Sequence, residues 1–249
     1  MPIHFAQFSA AVGQIPFAVY RRTVPFKYRI AVRLRIQKLK GYSALRDPRR
    51  PIPISPADIY YVSDTRFIPE ERHLGKIKNG DWDRQRTPFE STSTYQGLYE
   101  RFVEGYDWRE TEYYTHAEDR IATEGEHFGY TDIDEFLESR CEYVDDLYDS
   151  IRKKGYQPNG GKVPYDPRRP WSRKDPTGVS VVVDRNGEFL LHDGHHRVAL
   201  SRILNIDRIP VHVLVRHEKW QQYREVVFDK SRKEDQTVTH THPDLHDLR

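Results

Sequence analysis

Cysteine is nearly missing from this chain of 249 residues, with Cys141 the only one. An intrachain disulfide is therefore excluded, and so is a zinc site built on several thiolates. Cys141 falls on the apolar side of a predicted helix, which assigns it to core packing. Net charge is scarce too. Forty Lys and Arg stand against 38 Asp and Glu, a formal balance of +2, so an electrostatic partner has to be recognised by a local patch. Lysine is in short supply, and Arg outnumbers it by more than two to one, which favours planar, bidentate contacts to phosphate or carboxylate. Long apolar runs are absent, and none reaches the length of a transmembrane span. Residues 1–20, MPIHFAQFSAAVGQIPFAVY, lack the basic start of a secretory leader and are followed by positive charge rather than preceded by it. These absences predict a cytoplasmic protein.

What is present begins with a basic arm. Residues 21–50 hold eleven Lys or Arg against one acid, Asp47. Within it, YRIAVRLRIQKLK fits two periods: Ile30, Val32, Leu34 and Ile36 alternate as in a strand, while Val32, Ile36 and Leu39 share a helical stripe. Arg29, Arg33, Arg35, Lys38 and Lys40 make this arm suited to nucleic-acid phosphates or to an anionic membrane surface. The plainer alternative is a solvated basic element on the domain's edge. Residues 47–56, DPRRPIPISP, read as an extended linker. The chain then divides into an arm and linker over 1–53, a domain over 54–216, and a C-terminal extension with a polar tail over 217–249.

Residues 67–90 read as a loop with a turn at Asn79-Gly80. Helices are predicted near 93–104, 108–124 and 132–154. The last has Thr131 as its expected N-cap, acids in its first turn, and Gly155 at its stop. Residues 157–178 are dense in Gly, Pro and basic side chains and form a long irregular loop, in which Arg168, Arg169, Arg173 and Lys174 could meet an anion or solvent. The last twenty residues read as a loose tail. Its His240, His242 and His246 are taken as surface histidines rather than a metal site, which would need a defined spacing.

The densest chemistry lies at 179–215. VSVVVDRNGEFLLHDG is two β-branched or apolar runs around Asn186-Gly187, a hairpin signal. The second run leads directly into Asp193-Gly194-His195-His196-Arg197, and a helix with Val198, Ala199, Ile203 and Leu204 on one face follows, then the strand IPVHVLV. The box thus sits where a strand ends and a helix begins. The first amides of a helix have no partner inside it and carry the positive end of its dipole. Gly194 lets an anion approach the main chain, His195 and His196 add donors, and Arg197 adds a bidentate clamp. These are the ingredients of a phosphate site. Asp193 fits that picture only if it orients a histidine, binds a metal ion or caps the helix. Each residue also has a duller reading, as cap, surface histidine or ion-pair partner. The fold class predicted is α+β, a small mixed sheet with packed helices.

DGHHRVALSRILNIDRIPVHVL resembles the signature of the ParB/sulfiredoxin-like superfamily, in its kinase-like D-G-H-x-R form. VDDLYDSIRKKGY resembles the helix that precedes the box there, and ISPADIYYV the opening strand; the likeness spans roughly 54–216. That superfamily includes CTP-hydrolysing partition proteins, an ATP-using reductase of oxidised cysteine, a free-serine kinase and proteins labelled nucleases. The resemblance implies that Gly194, His195, His196 and Arg197 bind nucleotide phosphates, with Asp193 close by. The reductase form needs Cys where His195 stands. The segment 157–178 is longer than the family needs, 93–130 looks like a helical insertion, and nothing after the box reads as a helix-turn-helix.

Three functions follow as expectations. The first is an NTP-dependent phosphotransferase or NTPase using Mg2+ with ATP or another NTP and, for transfer, a small-molecule hydroxyl acceptor. Asp193, His195 and His196 would be its catalytic groups, with Asp193 as the metal ligand. In the kinase-like relatives an acid from the early region acts as base, for which Glu70, Glu71, Asp81 and Asp83 are the candidates. The second is a metal-dependent nuclease with His192, Asp193, His195 and His196 as ligands. The third is a non-catalytic nucleotide-sensing or adaptor module whose arm contacts DNA or a membrane.

Overall fold

Strand β7 (Ile209–His217) is the spine of the molecule, with every residue but Pro210 buried. A strand covered on both faces has to satisfy its polar side chains internally. His212 Nδ1 lies 3.2 Å from the Pro48 carbonyl, and His217 Nε2 donates to the Gly80 carbonyl at 2.9 Å. The computed structural model describes residues 26–68, 70–158, 178–234 and 241–248. Around β7 stand β1 (Ile52–Ile54), β2 (Tyr61–Ser63), β3 (Lys76–Lys78), β4 (Arg86–Pro88), β5 (Ser180–Val183) and β6 (Phe189–Asp193). The sheet order is β1-β7-β5-β6-β2-β4, and β3 also pairs with β7. Strand β7 runs parallel to β5 and β3 and antiparallel to β1, while β6 runs parallel to β2 and antiparallel to β5. This is a mixed sheet with packed helices, the α+β class expected.

Successive side chains of β5 and β6 point to opposite faces. Val181, Val183 and Leu191 face one core, under α3 (Ser93–Tyr99), α4 (Glu112–Glu124), α6 (Glu142–Lys154) and α7 (His195–Ile203). Val182 and Leu190 face a second core with Ile30, Phe67, Leu74, Leu214 and Val215. Ile30 belongs to α1 (Phe26–Leu39) and Leu74 follows α2 (Glu70–His73). The sheet therefore lies between two helical layers.

The ambiguous basic segment is a helix. Its inner side carries Ile30, Leu34 and Gln37, and Gln37 donates to the Gly75 carbonyl at 2.8 Å. Arg29 is buried, and Arg33 is spent on the carbonyls of Leu74 and Arg72, so only Arg35, Lys38 and Lys40 of the five candidate cations are exposed. The stretch read as a linker contributes edge strand β1, with Ile52 and Ile54 buried and Pro53 outward, where a missing amide is tolerated. Residues 67–90, read as loop, contain α2, β3 and β4.

The long helix is capped one residue later than expected. Asp132, not Thr131, accepts the Glu135 amide at 2.9 Å. The helix starts as α5 (Ile133–Glu135) and passes through a π turn, Phe136–Cys141, into α6. The π turn helps to bring both Arg140 and Cys141 inside. Gly155 closes it with φ +71°.

The C-terminal residues correct the expectation of a loose tail. Helix α8 (Glu218–Glu234) follows β7, and the turn Pro243–Leu245 docks beside it. Fully buried Asp244 accepts from Arg216 Nε at 2.8 Å and Trp220 Nε1 at 2.9 Å, with Arg224 Nη1 at 3.4 Å. His242 donates from Nε2 to the Gly187 carbonyl at 2.9 Å and stacks on Phe189, so it is a packed residue rather than a surface one. His240 lies outside the described residues.

Asp244→Ala strands the buried Arg216 guanidinium, while Arg224 keeps Asp247 and the Ala44 carbonyl, and is expected to cost about 3–5 kcal/mol in urea unfolding. Burial alone would raise the Asp244 carboxyl, but Arg216 and Arg224 hold it well below the ordinary carboxylate range. Its contribution is full above the unfolded value of ~3.9 and is lost as pH falls from there towards the folded value. The penalty should thus shrink in acid; one that is equal at about pH 7 and about pH 2.5 contradicts this assignment.

Candidate functional site

The box sits on one turn. Strand β6 ends at Asp193, Gly194 adopts φ +94° and ψ 27°, and α7 starts at His195. A Cβ at Gly194 would lie 2.4 Å from the Gly178 carbonyl oxygen and 2.9 Å from Val179, so both conformation and space demand glycine. Asp193 Oδ1 accepts the Gly194 amide at 2.9 Å, so the N-cap position falls to Gly194 and Asp193 does not cap the helix. The first bond closed inside α7 runs from the Val198 amide to the Gly194 carbonyl, 3.0 Å. The amides of His195, His196 and Arg197 precede it, at the positive end of the helix dipole.

The side chains around the turn separate onto the two faces of the sheet. His192 points to the second core. Its Nε2 accepts the Phe67 amide at 2.9 Å, which leaves the proton on Nδ1, 3.0 Å from Glu70 Oε1. Glu70 also accepts from the Ser180 hydroxyl at 2.9 Å. Its Oε2 has no hydrogen-bond partner among the described residues. Arg66 completes this side, with Nη1 3.4 Å from the His192 carbonyl.

His196 points to the other core. Its Nε2 lies 2.8 Å from the Tyr113 hydroxyl, to which Arg140 Nε donates at 3.0 Å, and Arg140 lies 4.4 Å from the Phe128 ring centre. Burial pushes the Tyr113 hydroxyl up and keeps it protonated. His196 is therefore a buried, tethered side chain, which corrects its placement among groups facing a ligand. His195 is half-buried. Arg197 is buried, with Nη1 3.3 Å from the Gln157 carbonyl and its guanidinium 5.8 Å from the Tyr156 ring centre.

Of the early acids, the structure brings Glu70 to His192, the residue just before the box, and takes two others away. Arg185, in the β5–β6 turn, binds Asp83 at 2.6 Å and Asp81 at 2.8 Å, at the opposite end of β6 from Asp193. Burial would raise Asp83, but Arg185 outweighs it and holds the carboxyl at about 2. These two acids fasten the hairpin. The Glu71 side chain lies outside the described residues, as do residues 159–177 with Arg168, Arg169, Arg173 and Lys174.

The metal-ligand set His192, Asp193, His195 and His196 does not assemble. His192 and His196 face opposite layers, and no group of three His, Cys, Asp or Glu able to hold a metal occurs among the described residues. Two clefts lie elsewhere. One of about 400 Å³ is lined by Arg185, Asn186, Trp220, Tyr223 and His242, and one of about 420 Å³ by Arg101, Phe102, Asp145 and Tyr148.

Sequence reading missed Ser180, Tyr113 and Arg140. Ser180 had a signal, as the one hydroxyl in a β-branched run. Tyr113 and Arg140 had none, because only packing joins them to His196. No family model matches the chain, and no curated protein or solved structure matches it significantly.

Gly194→Ala should lose about 1–2 kcal/mol from the left-handed backbone alone, with the overlap on Gly178 adding to it. Thermal unfolding checks this, and a variant as stable as the parent contradicts the description of the turn.

Proposed function

We propose that the chain binds the phosphates of a nucleoside triphosphate at the turn from Asp193 to Arg197, and passes the terminal phosphoryl group to water or a small-molecule hydroxyl. Glu70 acts as the base. The likeness of DGHHR to the kinase-like box of the ParB/sulfiredoxin-like superfamily motivates the reading. One observation carries it: Glu70, from the segment after β2, stands 3.0 Å from His192 Nδ1, and so one residue from Asp193.

Phosphoryl transfer is mainly positioning and charge stabilisation. The α7 amides, at the positive end of a short helix, and the Arg197 guanidinium supply positive potential on one side of the turn. Ser180 and His192 hold Glu70 Oε1, which fixes the carboxylate and presents Oε2 to the proton of an attacking hydroxyl. The role of His196 is to position α7 through Tyr113 and Arg140, not to touch phosphate.

A Mg2+ ion arriving with a triphosphate needs only one or two protein carboxylates, with phosphate and water oxygens filling the rest of its shell. Asp193, with Oδ1 taken by the Gly194 amide, would hold it through Oδ2. When bound, the ion would neutralise charge on the phosphates.

The test is a melting screen with ATP, CTP and GTP, each with and without Mg2+, followed by turnover assays. A ligand present at a hundred times its Kd should add about 2.7 kcal/mol to stability. Arg197→Ala and Asp193→Asn should remove the shift. Glu70→Gln should keep the shift and lower turnover by about 10²–10⁴-fold, and Asp81→Asn should change neither. No shift with any nucleotide, or an undiminished shift in Arg197→Ala, contradicts the proposal.

A further inference from the structure

The two helical layers carry opposite charge. Between residues 93 and 154, which supply α3, α4 and α6 of the layer over the first core, the chain has 17 Asp or Glu against Arg101, Arg109, Arg120, Arg140, Arg152, Lys153 and Lys154. That is a net charge of −10 in a molecule whose total is +2. The layer over the second core is built from α1, α2 and β3. It exposes Arg35, Lys38, Lys40 and Arg72, with Lys76 and Lys78 half-buried beside them. Positive charge is crowded here. Burial, then Arg33, Arg72 and Lys78, push the Lys76 ammonium down to about 8. Burial with Lys76 and Lys78 pushes His73 down to about 4.

Two large aliphatic side chains stand out in the same layer, Leu39 at 73% exposed and Ile68 at 69%. The sequence immediately upstream of the basic arm, residues 1–20, contains no Asp, Glu, Lys or Arg and is rich in Phe, Ile, Val and Ala.

We infer that the α1–α2–β3 layer docks the protein on an anionic lipid bilayer, with Arg35, Lys38 and Lys40 meeting the headgroups and Leu39 and Ile68 reaching the acyl boundary. Stable attachment to a bilayer takes two signals, and a basic patch with an apolar contribution is such a pair. The acidic layer lies on the far side of the sheet, where repulsion from the same surface fixes the orientation. A nucleic acid would satisfy the cations equally well, but it leaves exposed Leu39 and Ile68 without a partner. Helix α1 has spent its own apolar side, Ile30 and Leu34, on the second core, so the contact is with the bilayer surface and not a crossing. Among the described residues no helix is long and apolar enough to span a membrane.

The experiment is co-sedimentation of the full chain with vesicles of phosphatidylcholine alone and with about 30% phosphatidylglycerol, at low and high salt. Binding is expected to the anionic vesicles only and to weaken as salt screens it. Arg35→Gln/Lys38→Gln/Lys40→Gln, all exposed positions, should weaken it roughly fivefold per cation removed, about a hundredfold in total. Glu142→Gln/Asp146→Asn on the acidic layer should leave binding within about twofold. Lack of binding to anionic vesicles at low salt, equal binding to neutral ones, or a large loss in the acidic-layer variant overturns the inference. So does tight binding to duplex DNA that anionic vesicles fail to compete away. Nucleotide binding at Asp193–Arg197 is read separately by melting and is independent of every one of these outcomes.

Discussion

The left-handed turn at Gly194 is the constraint on which the rest of the site depends. No side chain fits there, with a carbonyl oxygen 2.4 Å from where a Cβ would stand. A strand ends and a helix begins at that point, and the histidines on either side project to opposite layers. His192 goes down to Phe67 and Glu70, while His196 goes up to Tyr113 and Arg140. One glycine thus couples two polar networks that share no residue.

The sheet tolerates so much buried polarity because each group is matched. Strand β7 carries His212, Arg216 and His217 inside, and each meets a carbonyl or a carboxylate. Arg216 depends on Asp244, which belongs to the far end of the chain, so the C-terminal turn is part of the core. Breaking such a pair is costly because it strands the surviving charge, even where the intact pair adds little net stability. The same logic places Asp83 and Asp81 with Arg185. Their job is to hold the hairpin that delivers β6 to the site.

How much of this was legible in sequence follows from the range of each signal. The β5–β6 hairpin was readable because Asn186-Gly187 is local turn chemistry, and the strand-to-helix box was readable because Gly194 and the period of α7 adjoin. Helix α1 was not, since the helical stripe read there, Val32, Ile36 and Leu39, is not the one that packs: Leu39 is exposed, and Ile30 and Leu34, read as strand positions, meet Phe67 and Leu74. Strands β1, β3 and β4 span three residues each, too short for alternation to show. The tail looked loose because its anchoring acids, Asp244 and Asp247, find Arg216, Arg224 and Arg46 only in three dimensions. Among four early acids nothing local distinguished Glu70. His192, far along the chain, selects it. His196 misled because a histidine in a polar box reads as a ligand-facing group, while α7 turns it inwards.

The central claim is that polyphosphate is held at the amides opening α7, with Glu70 facing it across the end of β6. Hydrogen–deuterium exchange with and without nucleotide and Mg2+ reports on those amides directly. The account predicts slowed exchange at residues 195–198 and in the segment 66–70 that carries Glu70, with none at 241–248. Protection confined to the cleft beside Trp220 and His242, or unchanged exchange at 195–198 under saturating nucleotide, contradicts it.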